Sequence, residues 1–139
     1  MLNMMSVVVT SHFSGSLHSL FIKSDGTLWA LGYNLYGELG DGGNSQTAIP
    51  EQIFPTPLPP GSAVTKISAG YEHSLFLKSD GSLWAMGDDL FSQLGDTTYG
   101  NSTNKPEQII RNVVAIAAGF NHSLFIETNG SLWGMGYNN

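Results

Sequence analysis

Three stretches of the chain share one pattern of hydrophobic and polar positions. The runs HSLFIK, HSLFLK and HSLFIE begin at His18, His73 and His122, and each is followed by an apolar run such as TLWALG or SLWAMG. Short runs rich in Leu, Ile, Phe and Trp, bounded by turn residues, predict paired β-strands. Asp25-Gly26 and its counterparts in the other two copies predict a two-residue type I′ turn between the strands.

Such a turn fixes the register of the hairpin. Both faces of the strand pair are then apolar, whereas a sheet with one face in water alternates apolar and polar residues. A pair that is apolar on both faces must lie between other sheets, and repeated sheets that each pack on two neighbours describe a β-propeller. The expected pairs of the first copy are Ile22 with Trp29, Leu20 with Leu31 and Phe21 with Ala30.

The remainder of each copy supplies two more strands. Residues 50–53 read PEQI and recur at residues 106–109, and a strand that begins with proline fits the edge of a sheet. Residues 64–67 and 113–116 lead into Ala-Gly, whose small size is typical of close backbone packing near a central axis. We therefore predict an all-β fold of propeller blades, each with four antiparallel strands.

Composition removes several classes of function. The 139 residues include 17 glycines, only 12% charged residues and no cysteine, which excludes disulfide scaffolds, cysteine zinc sites and thiol nucleophiles. The formal net charge of −6, with five Lys and Arg residues in all, argues against a nucleic-acid surface, because phosphate binding needs clustered positive charge. No apolar run approaches the length of a membrane span, and the compartment stays unassigned.

The recurring motifs A-G-x-x-H-S-L-F, D-G-S-L-W-x-x-G-x-N and G-x-L-G-D resemble the regulator of chromosome condensation repeat. The sequence departs from that pattern at Ser92, where the family usually has glycine, and at Asp89, where it usually has asparagine. The resemblance implies a seven-bladed β-propeller with about fifty residues per blade. Members of that family include nucleotide-exchange factors, a plant ultraviolet photoreceptor and a bacterial β-lactamase inhibitor, so the fold alone does not fix the function.

The chain holds less than half of such a ring. Divided where the family's blades begin, residues 27–80 and 81–130 are complete blades, residues 1–26 the last two strands of another, and residues 131–139 the first strand of a further one. We expect either a piece of a longer repeat protein or a ring closed by self-assembly, with six blades as a homodimer or nine as a trimer. Closure is expected to pair residues 131–136 with residues 18–24 of the next chain. The residues expected at this contact are Ser131, Leu132, Trp133, Leu20 and Ile22.

The histidines and tryptophans occur once in each copy, which favours a structural role over catalysis, metal binding or light sensing. We expect each imidazole to satisfy a loop or a backbone group of the neighbouring blade, and each indole to pack in a blade core. These residues are His18, His73, His122, Trp29, Trp84 and Trp133.

Oxygen ligands in the loops suggest calcium binding, but their spacing fits neither an EF-hand nor a nonapeptide repeat. Turn formation is the simpler interpretation. No G-x-S-x-G elbow, P-loop or dinucleotide fingerprint is present, so we predict no catalytic residue, metal or cofactor. The oxygen-bearing loop residues are Asp41, Asp88, Asp89, Asp96, Asn44 and Asn101.

Function in propellers usually lies in the loops. The distinctive ones here are residues 35–47, 54–60 and 91–105, and their aromatic side chains Tyr36, Phe91 and Tyr99 are candidates for protein binding. We therefore predict a non-enzymatic scaffold or protein-binding module that assembles into a closed ring, with another protein as a candidate second partner. The alternatives are a guanine-nucleotide-exchange regulator, as the resemblance implies, a hydrolase or lyase that uses loop carboxylates, and a truncated repeat array without a function of its own.

Overall fold

The computed structural model describes residues 17–54 and 57–139 and the backbone of Val8 and Val9. Part of the predicted partial blade 1–26 and residues 55 and 56 of the loop 54–60 lie outside the described residues. The first sheet contains β1 (Val8–Val9), β2 (His18–Ile22), β3 (Leu28–Gly32) and β4 (Thr47–Gln52). The second contains β5 (Val64–Ala69), β6 (His73–Lys78), β7 (Leu83–Gly87) and β8 (Thr103–Ile110). The third contains β9 (Val113–Ala118), β10 (His122–Glu127) and β11 (Leu132–Gly136).

Each sheet is an antiparallel meander in which strands that follow one another in the chain are hydrogen-bonded neighbours. The described residues contain no helix, and the predicted all-β fold is confirmed. The first two sheets have four strands and the third has three among the described residues. The blade limits predicted at residues 27, 81 and 131 fall in or beside hairpin turns. The hydrogen-bonded sheets instead separate between β4 and β5 and between β8 and β9.

The hairpin turn is one residue longer than the sequence led us to expect. Lys23 N donates to Thr27 O at 3.0 Å, and Gly26 N donates to Lys23 O at 2.9 Å. Gly26 has a φ of 81°, whereas Asp25 is not among the residues with positive φ. A type I′ turn needs positive φ at both central residues, so that prediction is wrong. The observed turn is a three-residue loop in which glycine adopts the left-handed conformation.

The longer turn shifts the hairpin register by one residue. Every predicted cross-strand pair is therefore wrong, although both faces of the hairpin remain apolar as predicted. The same register recurs in all three sheets, because all three turns place a glycine at the left-handed position. The observed pairs in the first sheet are Ile22 with Leu28, Phe21 with Trp29, Leu20 with Ala30 and Ser19 with Leu31.

The central hairpin of each sheet presents two different apolar faces. The leucine face of the first sheet carries Leu20, Leu28 and Ala30, and its tryptophan face carries Phe21 and Trp29. The leucine face of the first sheet packs against the tryptophan face of the second, and the leucine face of the second packs against the tryptophan face of the third. The first of these cores includes Leu20, Leu28, Ala30, Ile67, Phe76 and Met86. The second includes Leu75, Leu77, Leu83, Ala85, Val113 and Phe125.

Two faces remain open at the ends of this stack. On the leucine face of the third sheet, Leu124, Ile126 and Leu132 are 38%, 37% and 66% exposed. The corresponding residues of the second sheet are Leu75, Leu77 and Leu83, which are 0%, 3% and 0% exposed. They are buried because the third sheet covers them. No sheet of the described residues covers the tryptophan face of the first sheet, and Phe21 and Trp29 on it are half-buried.

The outer edge of β2 is already paired within the chain. Val8 lies opposite Ile22, and Val9 lies opposite Phe21. The predicted closure would place residues 131–136 of another chain on this edge, beside Leu20 and Ile22. That pairing stays a prediction, and it would require the other chain to displace β1, which uses the hydrogen-bonding groups beside Ile22 and Phe21.

Leu75 and Leu124 occupy corresponding positions on a covered and an open face, and they make a matched pair. We expect Leu75→Ala to lower the free energy of unfolding by about 2–5 kcal/mol, the usual cost of a cavity in a core. Leu124→Ala should cost less than about 1 kcal/mol, because water already reaches this side chain. Urea denaturation at low protein concentration measures both changes. Equal losses would contradict the described packing.

Candidate protein-interaction site

The recurring histidines join neighbouring sheets through serine hydroxyl groups. His18 Nε2 lies 2.8 Å from Ser74 Oγ, and His73 Nε2 lies 2.9 Å from Ser123 Oγ. Each serine also donates to a loop carbonyl of the preceding sheet, as Ser74 does to Glu38 O at 2.8 Å. The predicted contact with a neighbouring sheet is present, although its partner is a side-chain hydroxyl and not a backbone group. We call this repeated arrangement the histidine–serine seam.

The glycine of the A-G-x-x-H motif makes room for the imidazole. A Cβ atom at Gly70 would lie 2.3 Å from His73 Cε1, and one at Gly119 would lie 2.3 Å from His122 Cε1. Contacts that short do not occur between real atoms, so a larger residue would displace the ring. The glycine is therefore needed here for close approach.

Burial keeps the seam histidines uncharged. It lowers the pKa of His18 to about 4 and that of His73 to about 3, because the charged imidazolium loses its hydration. At neutral pH each ring has one nitrogen that donates and one that accepts. Nε2 is engaged with serine, so these imidazoles serve the contact between sheets.

Among residues 17–54 and 57–139, the open faces carry one histidine and one serine of this repeat that have no seam partner. His122 lies on the exposed leucine face of the third sheet and Ser19 on the open tryptophan face of the first. The third sheet also carries an apolar groove of about 160 Å³, lined by residues that include Ala115, Leu124 and Leu132. The two open faces are thus complementary in both their apolar and their polar groups.

The tryptophans occupy equivalent sites in the three hairpins. Trp29 stacks on Phe21 with ring centroids 6.2 Å apart, and the same pair recurs in the other sheets at 6.2 Å and 6.3 Å. Each indole Nε1 donates to the hydroxyl group two residues earlier, as Trp29 does to Thr27 Oγ1 at 2.9 Å. Trp133, on the third sheet, is 52% exposed.

The loop after β3 is organised by Asn34, which is completely buried. Its Nδ2 donates to Asp41 Oδ1 at 3.0 Å, to Gly43 O at 3.2 Å and to Ser45 O at 3.3 Å. Its Oδ1 accepts from Leu39 N at 3.0 Å. One amide side chain therefore ties four points of the loop together.

Asp89 occupies the position after β7 that corresponds to Asn34. Its ionised carboxylate cannot donate the hydrogen bonds that the Asn34 amide donates. Leu94 N donates to Asp89 Oδ1 at 2.8 Å, as in the first sheet. Asp89 Oδ2 is buried without a hydrogen-bond partner, since an ionised carboxylate cannot donate to the acceptors that the loop supplies. Burial, together with the nearby carboxylates of Asp96 and Asp88, raises the pKa of Asp89 to about 6.

The predicted partner-binding residues lie in exposed loops but have different surroundings. Tyr99 is 78% exposed. Phe91 is half-buried and packs edge-to-face on Tyr137, with ring centroids 4.9 Å apart. Tyr36 is also half-buried, and the nearby Glu72 carboxylate raises its pKa.

Our sequence reasoning missed four further aromatic residues beside these. Tyr71 and Phe120 stack with ring centroids 4.1 Å apart and an interplanar angle of 13°. Loss of hydration raises the pKa of Tyr33, and the nearby Glu72 and Tyr71 also contribute to this rise. The sequence could have indicated these residues, because each directly follows a glycine of the repeated motifs. Tyr71 and Phe120 follow Gly70 and Gly119, and Tyr33 and Tyr137 follow Gly32 and Gly136. We call the group the aromatic end, and it consists of Tyr33, Tyr36, Tyr71, Phe91, Phe120 and Tyr137.

The loop carboxylates Asp41 and Asp96 serve as turn residues. Asp41 and Asp96 accept from the backbone amides two residues later, as Asx turns do. Among residues 17–54 and 57–139, no group of three or more histidine or carboxylate side chains is placed to hold a metal ion. No helix in the described part of the chain is long and apolar enough to span a membrane.

Comparison with known proteins finds the same repeat. A family model described as Regulator of chromosome condensation (RCC1) repeat matches residues 25–77, and a second of that description matches residues 9–38, 64–93 and 113–139. The chain is 34% identical over 108 residues to Protein RCC2 homolog of Xenopus laevis, and 33% identical over 96 residues to the X-linked retinitis pigmentosa GTPase regulator homolog of Caenorhabditis elegans. These alignments cover 76% and 69% of this chain but only 20% and 7% of those proteins.

Solved structures share the fold. Human WBSCR16 superposes with a TM-score of 0.77 at 24% identity, over 88% of this chain and 31% of its own. Prp20p of Saccharomyces cerevisiae superposes with a TM-score of 0.73 at 26% identity, over 88% of this chain and 31% of its own, in a structure described together with binding to Gsp1p and histones. The predicted propeller class is thus confirmed.

Asp89 gives the stability a pH dependence that asparagine would not. Its folded pKa of about 6 exceeds the ordinary value of 3.8, so its contribution is most favourable below about pH 4 and is lost as the pH rises through 6. We expect Asp89→Asn to raise the free energy of unfolding by about 1–3 kcal/mol at pH 8, and by progressively less as the pH falls towards 4. Urea denaturation at several pH values measures the difference in the free energy of unfolding between the variant and the unsubstituted chain. The histidines contribute equally to both proteins, so their effect cancels in this difference.

Asn34→Asp is the matched control for this experiment, since it creates the same carboxylate in the first loop. It should lower the free energy of unfolding, and by more at pH 8 than at pH 5. Asp89→Asn is expected to raise the free energy of unfolding with the same pH dependence. A pH-independent effect of Asp89→Asn would contradict the assignment.

Proposed function

The chain belongs to the regulator of chromosome condensation repeat family, and from this premise we propose that it is a non-enzymatic, protein-binding propeller module that closes its ring by head-to-tail self-assembly. The observation that carries the proposal is the pair of open faces. Each matches a face that is covered inside the chain, and the internal contact between the second and third sheets is the template for the contact between chains.

Two features favour this face-to-face contact. The exposed side chains Leu124, Ile126 and Leu132 would gain the environment of their buried counterparts by packing on the tryptophan face of another chain. His122 of one chain would meet Ser19 of the next and extend the histidine–serine seam. Because the two surfaces differ, the contact is heterologous and closes by rotation. With three sheets per chain, a dimer makes six blades and a trimer nine.

The role is proposed as non-enzymatic because the buried polar groups serve the repeat. The imidazoles of His18 and His73 are held neutral and bonded between sheets, and the carboxylates of Asp41 and Asp96 support turns. A guanine-nucleotide-exchange role stays an alternative prediction from the family.

A second protein is proposed to bind at the aromatic end. Exposed aromatic side chains are common at the centre of protein interfaces, and here they lie beside the carboxylates Glu72 and Asp88. Tyr36 and Phe91 are the side chains on which we place this contact. The surroundings favour a partner surface with apolar and basic side chains.

The mass in solution tests self-assembly. We expect light scattering after size exclusion to give two or three chains at micromolar concentration. Leu132→Asp should give a single chain, because it places a charge on the leucine face. Leu90→Asp is the matched control: Leu90 is an exposed loop residue, 57% accessible, and its replacement should leave the mass unchanged. A single well-folded chain at every concentration would overturn the proposed ring.

A further inference from the structure

We propose that the aromatic end holds one positively charged side chain of its protein partner, an arginine, between the carboxylate of Glu72 and the rings of Tyr36 and Tyr71. This inference rests on the proposed protein-binding role and deepens it by naming the group that the site recognises. It concerns loops of the first and second sheets, so it is independent of ring closure.

The backbone brings three acidic residues from different parts of the chain together. Glu72 O accepts from Asp88 N at 2.7 Å. A Cβ atom at Gly87 would lie 2.5 Å from Glu72 O and 3.3 Å from Glu38 Cα. The loop after β3, the turn between β5 and β6 and the residue after β7 therefore meet at one place, and each contributes a carboxyl group.

Asp88 is the one of these three whose carboxylate is fully engaged. Gln93 Nε2 donates to Asp88 Oδ2 at 2.7 Å. Leu90 N and Ser102 Oγ donate to its Oδ1, each at 3.2 Å. The Glu72 carboxylate, by contrast, has no hydrogen bond or ion pair with any residue of 17–54 and 57–139. Glu72 is half-buried, so a partner has access to it.

Glu38 adds a second carboxylate without a counter-ion. Tyr36 N donates to Glu38 Oε2 at 3.0 Å, just as Phe91 N donates to Gln93 Oε1 at 2.9 Å one repeat later. Gln93 uses its other polar atom as a donor, but Glu38 Oε1 is buried without a hydrogen-bond partner in a completely buried side chain. Glu38 therefore acts on a bound cation through its charge, and direct contact falls to Glu72.

All five basic residues of the chain have contacts elsewhere. Two lie over tryptophan rings, one donates to a carbonyl of β9, one lies beside the loop glycine Gly42 and one forms an ion pair with Asp80. In this order they are Lys23, Lys78, Lys66, Lys105 and Arg111. A cation at the carboxylates of Glu38 and Glu72 must therefore come from another molecule.

Tyrosine rings lie beside these carboxylates. The Glu72 carboxylate, followed by loss of hydration, raises the pKa of Tyr36, and loss of hydration followed by Glu72 raises that of Tyr33. Tyr71 directly precedes Glu72 in the chain and stacks on Phe120. The faces of aromatic rings attract cations, so the rings and the carboxylates favour the same ligand.

The arrangement fits an organic cation better than a metal ion. In the part of the chain that the structure describes, no group of three or more histidine or carboxylate side chains is placed to hold a metal ion. A guanidinium group is flat, so it stacks on an aromatic ring and also donates two parallel hydrogen bonds to one carboxylate. An ammonium group offers no flat face and holds its water more strongly. We therefore expect arginine.

The same place one repeat later lacks both carboxylates. Asn121 follows Phe120 as Glu72 follows Tyr71, and Gln93 stands where Glu38 stands. The fold keeps the same packing there with neutral amides. The two carboxylates are therefore not required by the repeat, and a ligand is the reason that we infer for their presence.

The test titrates the whole chain with the peptides acetyl-Gly-Phe-X-Phe-Gly-amide, in which X is arginine, lysine or citrulline, the uncharged analogue of arginine. NMR of the tyrosine ring signals measures binding. We expect saturable shifts at Tyr36 and Tyr71 with the arginine peptide. Binding should be roughly threefold weaker for lysine and roughly tenfold weaker for citrulline.

Variants separate the site from general charge attraction. Glu72→Gln should weaken binding of the arginine peptide by roughly fivefold and leave the citrulline peptide unaffected. Glu38→Gln, which copies Gln93, should weaken it by roughly twofold. Glu51→Gln is the matched control, because it removes one negative charge from β4, outside the aromatic end, and should leave binding unchanged.

The outcomes distinguish this inference from the role on which it rests. Equal binding of the arginine and citrulline peptides at these rings would overturn the arginine site and leave protein binding at the aromatic end in place. Equal binding of the lysine peptide, or equal losses in Glu72→Gln and Glu51→Gln, would also overturn it. If no peptide shifts the ring signals, both the arginine site and the aromatic end as a binding surface are refuted, whereas ring closure is judged separately from the mass in solution.

Discussion

The contact between the leucine face of one sheet and the tryptophan face of the next is the interaction on which the rest of this molecule depends. Each sheet is apolar on both faces, and burial of apolar surface is the main favourable term in folding. A single sheet of this kind would leave one face in water whichever way it packed. Side-by-side stacking of sheets covers both faces everywhere except at the two ends of the stack.

The buried imidazoles of His18 and His73 each form one side-chain hydrogen bond to the neighbouring sheet. A buried imidazole without a hydrogen bond would be costly, and the serine of the next sheet supplies that bond through Nε2. Gly70 and Gly119, three residues before His73 and His122, let the imidazole rings lie against the backbone. The seam therefore fixes the relative height of two sheets that hydrophobic packing alone would let slide.

The loops vary more than the blades. Asn34 ties its loop together with an amide, and Asp89 replaces it with a carboxylate that lacks a partner for one oxygen. Ser92 likewise adopts the positive φ that glycine has at the equivalent place. The second and third sheets keep the same packing in spite of both changes, because the apolar contact is distributed over many side chains and the loop contacts are local.

The repeated apolar runs by themselves determined the strands, the pairing of neighbours into sheets and the two-faced burial that requires a propeller. They did not determine the hairpin register, because Asp-Gly is compatible with both a two-residue and a three-residue turn and only the backbone angles distinguish them. Nor did they identify the serine partners of His18 and His73, which lie 56 and 50 residues away on another sheet. Which faces and edges stay open was decided only by the tertiary structure, since burial depends on what stacks against a sheet, and identical motifs are covered in one copy and exposed in the next.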